Sequence, residues 1–535
     1  MKLLTPVLAL ALQAAAGLAL ADNISVRLGY EEGRNGLSFA AQHAETGTFG
    51  LTPDTGNEAH GEKWRVVAKD AKGKILHQVN VRSGRDWVAE SFDPGSGQIA
   101  HAQKVTQRSG LFEVSLPFDA RVASVEVLPQ VKGNQLASGA LHKMDRKALQ
   151  QLLSKSQSKK NLLAGVTATT VYESGPAATR MDYVFIGDGY TAAEMSKWQA
   201  DAKKIIDGFL ADPLFAANKN KINVRRVDVP SNQSGVDEID KGIYKDTALD
   251  GEFGCYNMER LLCVNNTKTI NTAASVLAPD QRDVLIVVSN STRYGGSGGQ
   301  VATLSMHSSS IEVALHEIGH TAFALADEYD YGTCDASSEP TEGNVSRVGT
   351  RSVKWGSQIA AGTAVPTQAG QYPNGTVGAF QGAQYCTAGK YRPTENSRMR
   401  ALGQPWHAVN ESLVAKVFAK YSGGTDPGGG TTTSKTQSGN LTAGAKAYAP
   451  SASPGYFQAG AGVINLKLSG PSGTDFDLAL YKYTASGWSK VAGSDGPTSA
   501  ESISYTAAAG YYYAEIHSYS GSGTYTLNYS YTNPK

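Results

Sequence analysis

The sequence predicts a multidomain chain with an N-terminal antiparallel β domain, a central α/β domain and a C-terminal β-sandwich. Three observations carry that reading. At 535 residues the chain exceeds the usual size of one domain, and its 41% apolar fraction can build several cores. Short alternating runs bounded by turn residues fill both ends, whereas the middle alternates buried-type apolar runs with helical stretches. Two polar segments divide the three: a basic, helix-prone stretch over 131–165 and a Gly/Ser/Thr-rich tether over 423–439.

Ahead of the first domain, MKLLTPVLALALQAAAGLALADN has one lysine, an apolar run and the small-x-small triplet Ala19-Leu20-Ala21. That pattern predicts a signal peptide over 1–21, cleaved near Ala21, and a secreted product, extracellular or periplasmic. Gln13 and the small-residue end make the run too short to anchor, and no later stretch is apolar enough to span a bilayer, so no stable membrane insertion is expected. Over 22–130 the run WRVVAKDAKGKILHQVNV is representative, with Asp70-Ala71-Lys72-Gly73 separating two strand-like halves. LHKMDRKALQQLLSKSQSKKNLL follows as a polar surface helix or connector, with Lys159-Lys160 as a candidate processing site. The central domain, 166–422, contains DYVFIGDGYT, a buried-type run, and then Thr191-Ala192-Ala193-Glu194, a capping box for a helix to about Leu210. INVRRVDV (Ile222 to Val229) and DVLIVVSNS (Asp283 to Ser291) are two further strands. In the last domain, 440–535, Phe476, Leu478 and Leu480 alternate onto one face, as do Tyr525, Leu527 and Tyr529.

Lysine plus arginine number 49 against 48 for aspartate plus glutamate, so the net charge of +1 gives no reason to expect nucleic acid or an anionic membrane as a partner. The four cysteines all lie in the central domain. An even number in an exported chain means disulfides more often than metal ligands; four cysteines permit three connectivities, of which the short loop Cys255–Cys263 with Cys334–Cys386 is the one expected.

The stretch SSSIEVALHEIGHTAFALADEY, Ser308 to Tyr329, carries the chemistry. Ser308 to Ser310 offer a helix N-cap, and little in IEVALHEIGHTAFALA would stop a helix. His316 and His320 are then i and i+4, with Cβ atoms about 5–6 Å apart, so both imidazoles can reach one ion at roughly 2.0–2.1 Å. Glu317 points about 100° away around the helix, beside such an ion rather than on it, where a general base for a Zn2+-activated water belongs. Two histidines at this spacing can instead be surface or satisfied core groups. The apolar neighbours Ala314, Leu315, Ile318 and Ala322 predict a buried helix, however, in which an unpartnered pair is costly.

A catalytic zinc takes three protein ligands, so one is missing. Asp327, Glu328, Asp330, His307 and His407 are the candidates. On a straight helix Asp327 lies about 10 Å past His320 along the axis, too far to share an ion. It can ligate only if the helix ends near Ala324 and the chain folds back, with no glycine before Gly332 to ease the turn.

The run HEIGHTAFALADEY resembles the secreted bacterial zinc metallopeptidases named for an IgA-cleaving peptidase, in which a HExxH helix leads into Leu-x-Asp-Glu-Tyr, here Leu325 to Tyr329. The likeness takes in VFIGDGYT upstream and RPTENSRMRAL downstream, about Met181 to Tyr421. It implies a metzincin-like zinc endopeptidase acting on extracellular proteins or peptides, with Met399 in SRMR as the methionine turn beneath the metal. The usual metzincin pattern has a glycine three residues and a ligand six residues after the second histidine, where Phe323 and Ala326 stand here. By family likeness and elimination, Asp327 is the expected third ligand beside His316 and His320, with Glu328 behind it. FDLALYKY and ESISYTAAAGYYYAEIHSYSGSGTYTLNYSY resemble the bacterial pre-peptidase C-terminal domain, a β-sandwich, and Asp475 and Asp477 there offer oxygens for a structural Ca2+. The region before residue 130 is similar to the β domain that precedes the catalytic domain in some members of the family.

A second reading, from a different class, is a surface-binding or adhesion protein with an inert central domain, whose Tyr511 to Tyr513, Tyr519, Tyr525 and Tyr529 stack on sugars. Aromatic strand residues are first of all core and cross-strand pairs. A pure binding domain also has no reason to set Glu317 between two metal-spaced histidines.

Overall fold

A computed structural model describes residues 23–34, 36–54, 63–129, 140–158, 165–331, 334–421, 432–451, 455–459, 462–484, 487–507 and 510–532. The expected signal peptide, Lys159-Lys160 and most of the Gly/Ser/Thr tether lie outside the described residues.

Alternating apolar residues build the first pair of layers. Asn23–Gly33 pairs antiparallel with both Gly36–Gly47 and Ser109–Pro117, while Ile75–Arg82, Lys63–Lys69, Ser124–Pro129 and His142–Asp145 form a second sheet in that order. The turn predicted at Asp70 forms because its carboxylate accepts from the N–H groups of Lys72 and Lys74, and Gly73 takes the φ of 81° that closes it. The two sheets share a core centred on Trp64, whose ring lies 4.6 Å from that of Phe112 and 5.0 Å from that of Phe39. Helix Arg146–Ser158 packs on Gly36–Gly47 and adds Leu149 to this core. Two further strands, Asp86–Phe92 and Ile99–Thr106, form a hairpin paired only with itself among the described residues.

The central sheet runs Thr167–Tyr172, Ile222–Asp228, Met181–Asp188, Val284–Ser289, Ala302–Ser305, Gly296–Ser297, with the inner four strands parallel and both edges antiparallel. Every residue of Met181–Asp188 and Val284–Ser289 is buried, as parallel strands covered on both faces require. The capping box forms at Thr191, whose N–H donates to the Glu194 carboxylate at 2.9 Å, and it leads into helix Met195–Ala211. Trp198, Ile205 and Phe209 of that helix share a core with Leu315, Ile318 and Phe323 of the HEIGH helix, Ser310–Phe323. Helix Asn266–Val276 covers the opposite face. The N-terminal sheets dock here through Arg282, which donates to Glu113 at 2.8 Å, and Arg27, which donates to Asn271 at 2.9 Å.

Beyond the tether, Thr432–Leu441, Gly523–Thr532, Gly462–Ser469 and Ser502–Ala507 form one sheet of a sandwich, and Lys446–Ala449, Gly510–Ser520, Asp475–Thr484 and Gly487–Ser494 the other. Phe476, Leu478, Leu480, Tyr525, Leu527 and Tyr529 point into their shared core, as the alternation predicts. No helix among the described residues is long and apolar enough to cross a membrane.

Both disulfides join the expected partners, Cys255 to Cys263 and Cys334 to Cys386. The second closes a loop with a sequence separation of 52, which chain entropy values at about 4 kcal/mol. Replacing Cys334 and Cys386 together with serine is expected to lower the unfolding midpoint of the central domain more than replacing Cys255 and Cys263, which span a separation of 8. Denaturant titration of the variants checks this order.

Candidate metal centre

Helix Ser310–Phe323 buries the face that carries its histidines. Its N-cap, Ser309, makes no side-chain capping bond, and the neighbouring Ser310 is instead buried with its hydroxyl 2.9 Å from that of Ser305. One helical turn apart, His316 and His320 bring their Nε2 atoms to 3.0 Å from each other. Each Nδ1 lies against a backbone carbonyl, His316 on Arg398 at 2.8 Å and His320 on Leu325 at 2.7 Å. An imidazole that donates its proton at Nδ1 presents a lone pair at Nε2, so the two lone pairs face one another.

The helix ends where Asp327 needs it to end. Ala324 takes the left-handed conformation at φ 55° and ψ 35°, and the N–H groups of Ala324 and Leu325 close on the carbonyls of His320 and Gly319. Left-handed backbone costs an alanine about 1–2 kcal/mol. Asn344 offsets it: buried, it accepts from the Ala326 N–H and donates to the Ala326 carbonyl, both at 2.8 Å. The chain therefore doubles back, and Asp327 Oδ1 lies 3.3 Å from His316 Nε2 and 3.2 Å from His320 Nε2. Tyr385 fixes the other oxygen, donating to Asp327 Oδ2 at 2.8 Å.

A fourth donor arrives from far upstream. Glu90, on strand Asp86–Phe92, holds Oε2 3.5 Å from His316 Nε2 and 3.9 Å from His320 Nε2. Its Oε1 accepts from Tyr329 at 2.5 Å. Ligand atoms of Glu90, His316, His320 and Asp327 all lie within 4.8 Å of one another, and this is the one such cluster among the described residues. Sequence reading missed Glu90, because a single acid in DWVAESF has no spacing that ties it to the helix.

The cluster fits a metal ion. Ligands about 2.1 Å from a tetrahedral zinc stand ~3.4 Å apart, close to the separations seen here. Glu90 Oε2 and Asp327 Oδ1 are buried without hydrogen-bond partners. Two such buried oxygens facing two imidazole lone pairs form a donor set that a cation among them would satisfy. Residues 169–374 match the family model of IgA Peptidase M64. The matched segment holds His316, Glu317, His320 and Asp327 and leaves out Glu90. Two solved structures overlap short parts of the chain. The Yersinia pseudotuberculosis-derived mitogen is 14% identical over 20% of this chain and 91% of its own, at a TM-score of 0.17. The pre-peptidase C-terminal domain of collagenase from Bacillus anthracis is 22% identical over 17% and 85%, at 0.15. At those TM-scores neither likeness carries an argument.

Burial works against a charged His316, but the facing Asp327 and Glu90 carboxylates outweigh it and hold the imidazole well above the usual histidine range. Burial opposes charge on His320 too, and Asp327 nevertheless raises it to about 9. Against burial, His320 and His316 hold the Asp327 carboxyl well below the usual range.

Glu317 stands beside the cluster. Burial pushes its carboxyl up to about 8, and Oε1 has no hydrogen-bond partner. Its Oε2 lies against Gly298, where a Cβ would stand only 2.0 Å away and push the carboxylate from its place. A cavity of about 220 Å3 opens between Glu317, His320, Asp327, Tyr385, Gly299 and Trp87. Beneath the helix, buried Met399 packs on Gly319, where a Cβ would meet its sulfur at 2.5 Å.

The remaining candidates lie outside the cluster. Glu328 is buried and saturated, accepting from Asn344, Asn410 and Ser397, which makes it the brace of the reversed segment. Asp330 pairs with Arg400 at 3.3 Å, His307 accepts from the Ser309 N–H, and His407 opens helix His407–Tyr421. Asp475 and Asp477 join no metal-type cluster among the described residues; Asp477 faces His517 at 3.5 Å.

Two measurements follow. Glu317→Gln is expected to keep bound zinc while hydrolysis falls by roughly 10²–10⁴-fold, the worth of a positioned base. Asp327→Asn is expected to lose zinc affinity by more than the roughly 10–100-fold that an outer-shell change costs. Zinc quantification beside rate assays separates the two. Because protons and metal compete for His316 and His320, apparent zinc affinity should fall as pH is lowered from about 9, which chelator-competition titrations across that range would register.

Proposed function

We propose that the chain is a secreted zinc-dependent endopeptidase that hydrolyses peptide bonds of extracellular proteins, with His316, His320 and Asp327 as metal ligands and Glu317 as general base. The observation that carries this reading is the convergence of His316, His320 and Asp327 beside the unpartnered Glu317 carboxyl, within a segment that matches a peptidase family. A zinc ion held there would polarise the scissile carbonyl and acidify a water. The protein supplies orientation and proton transfer. The Arg398 and Leu325 carbonyls hold both imidazoles in the Nε2-facing tautomer, and Tyr385 and Asn344 keep Asp327 from swinging back along the helix axis. Glu317 takes the proton from the attacking water and hands it to the leaving nitrogen. Its placement off the ligand face leaves it free to do both.

Secretion is supported by the two disulfides, which persist in oxidising compartments. For the adhesion reading, one observation favours a binding role for the sandwich alongside hydrolysis: Tyr448, Tyr456, Tyr483, Trp488 and Tyr511 form an exposed aromatic patch. Tyr512 and Tyr529 are core and offer nothing to a sugar, while Tyr525, though largely buried, lines the floor of the patch.

The purified chain is expected to carry about one zinc, with digestion of casein that stops in a strong chelator and returns when zinc is restored. Digestion that persists after complete metal removal would overturn the proposal.

A further inference from the structure

A hydrolytic zinc site needs three protein ligands and an open fourth position, whereas structural sites are closed by four. This chain brings four donors together, and the fourth comes from the N-terminal region. We propose that Glu90 is a metal ligand and that the 86–106 hairpin carrying it is an autoinhibitory cover, so that the chain is largely held back and hydrolyses through a minor open form in which the hairpin has withdrawn. This rests on the metallopeptidase reading above.

The geometry of Glu90 separates its two oxygens. Oε1 is taken by Tyr329, while Oε2, buried and without a hydrogen-bond partner, faces both imidazoles and completes the donor set. A carboxylate that merely bonded the tyrosine would have no reason to leave Oε2 buried and unpaired against two lone pairs. Glu317 argues that the site is not a permanently closed structural one, since its own unpartnered oxygen lies beside the cavity rather than in the donor set.

The hairpin also closes the cleft sterically. Trp87 and Val88 wall a cavity of about 220 Å3, below the roughly 300–1,000 Å3 of sites that bury even a drug-sized ligand, and a peptide chain needs more. Phe92 stacks edge-on against His316, with ring centroids 5.0 Å apart. Yet the cover is held without a sheet ladder. Its strands pair only with each other among the described residues, and most of Ile99–Thr106 faces solvent. Its tip is tied by the Leu402 N–H to the Gly97 carbonyl and by Tyr331 to the Ile99 N–H. Ala89 and Val105 also pack with Cys255, Met258 and Leu261, and Phe92 and Ile99 with Tyr294, Val313 and Tyr329, so withdrawal exposes this apolar surface but does not unzip either neighbouring sheet.

Glu90→Gln in the zinc-loaded full chain keeps the side chain's shape and removes its charge. Zinc affinity, measured by chelator competition, should fall by more than the roughly 10–100-fold that an outer-shell change costs. Acetohydroxamate, a small probe that needs an open metal position, should bind more tightly than to the parent. Casein digestion should rise by about tenfold or more if the open form is a minor population of the parent, on the order of 10% or less. Unchanged zinc affinity and probe binding would overturn the proposal, as would a rate that falls as it does in Glu317→Gln. Should thermal unfolding show Glu90→Gln misfolded, Glu90→Asp, which keeps the charge but shortens the reach, carries the same expectations and the same refutation. The two readings fail differently: altered affinity and probe binding with no protein digestion by any variant would retain Glu90 as ligand and remove the peptidase.

Discussion

Two imidazole nitrogens held 3.0 Å apart, with their protons committed to backbone carbonyls on the far side, face two buried, unpartnered carboxylate oxygens, an arrangement that a cation among them would satisfy. That electrostatic demand organises the centre of this protein. It explains why the Arg398 carbonyl must reach His316, why Met399 and Gly319 pack so closely beneath the helix, and why Tyr385 and Tyr329 each occupy the outward oxygen of a carboxylate. Each of these contacts removes an alternative use for a donor atom and leaves the inward one for the ion.

The second constraint is the backbone reversal that supplies Asp327. Ala324 accepts a conformation that glycine would take freely, and the cost is offset by Asn344 on one side and the saturated Glu328 on the other. Glu328 and Asp327 are adjacent in sequence and opposite in role: one is satisfied by three neutral donors and braces the fold, the other is left facing the histidines. Their division of labour follows from which carboxylate meets amide and hydroxyl donors first.

Much of the chain's organisation was legible beforehand because it depends on local pattern. The alternation of Phe476, Leu478 and Leu480, the Asp70 turn and the Thr191 capping box are set by periods and short-range hydrogen bonds. The histidine pair was legible for the same reason, since i and i+4 share a helix face wherever that helix lies. A straight helix, by contrast, excluded Asp327, and only a condition on Ala324 kept it in play. The condition was met by Asn344, a residue to which no local rule points.

The sequence by itself determined the alternating strands, the capping box and the His316–Glu317–His320 constellation, because each is fixed by spacing along one chain segment; it left three ways to pair four cysteines, and the fold chose among them. Only the tertiary structure decided that Asp327 returns to the histidines and that Glu90 crosses from another sheet to meet them. Both depend on long-range packing: Asn344 must find Ala326, and the 86–106 hairpin must settle over the HEIGH helix with Phe92 on His316. Such contacts join residues far apart in the chain, and no periodicity within either segment encodes the meeting.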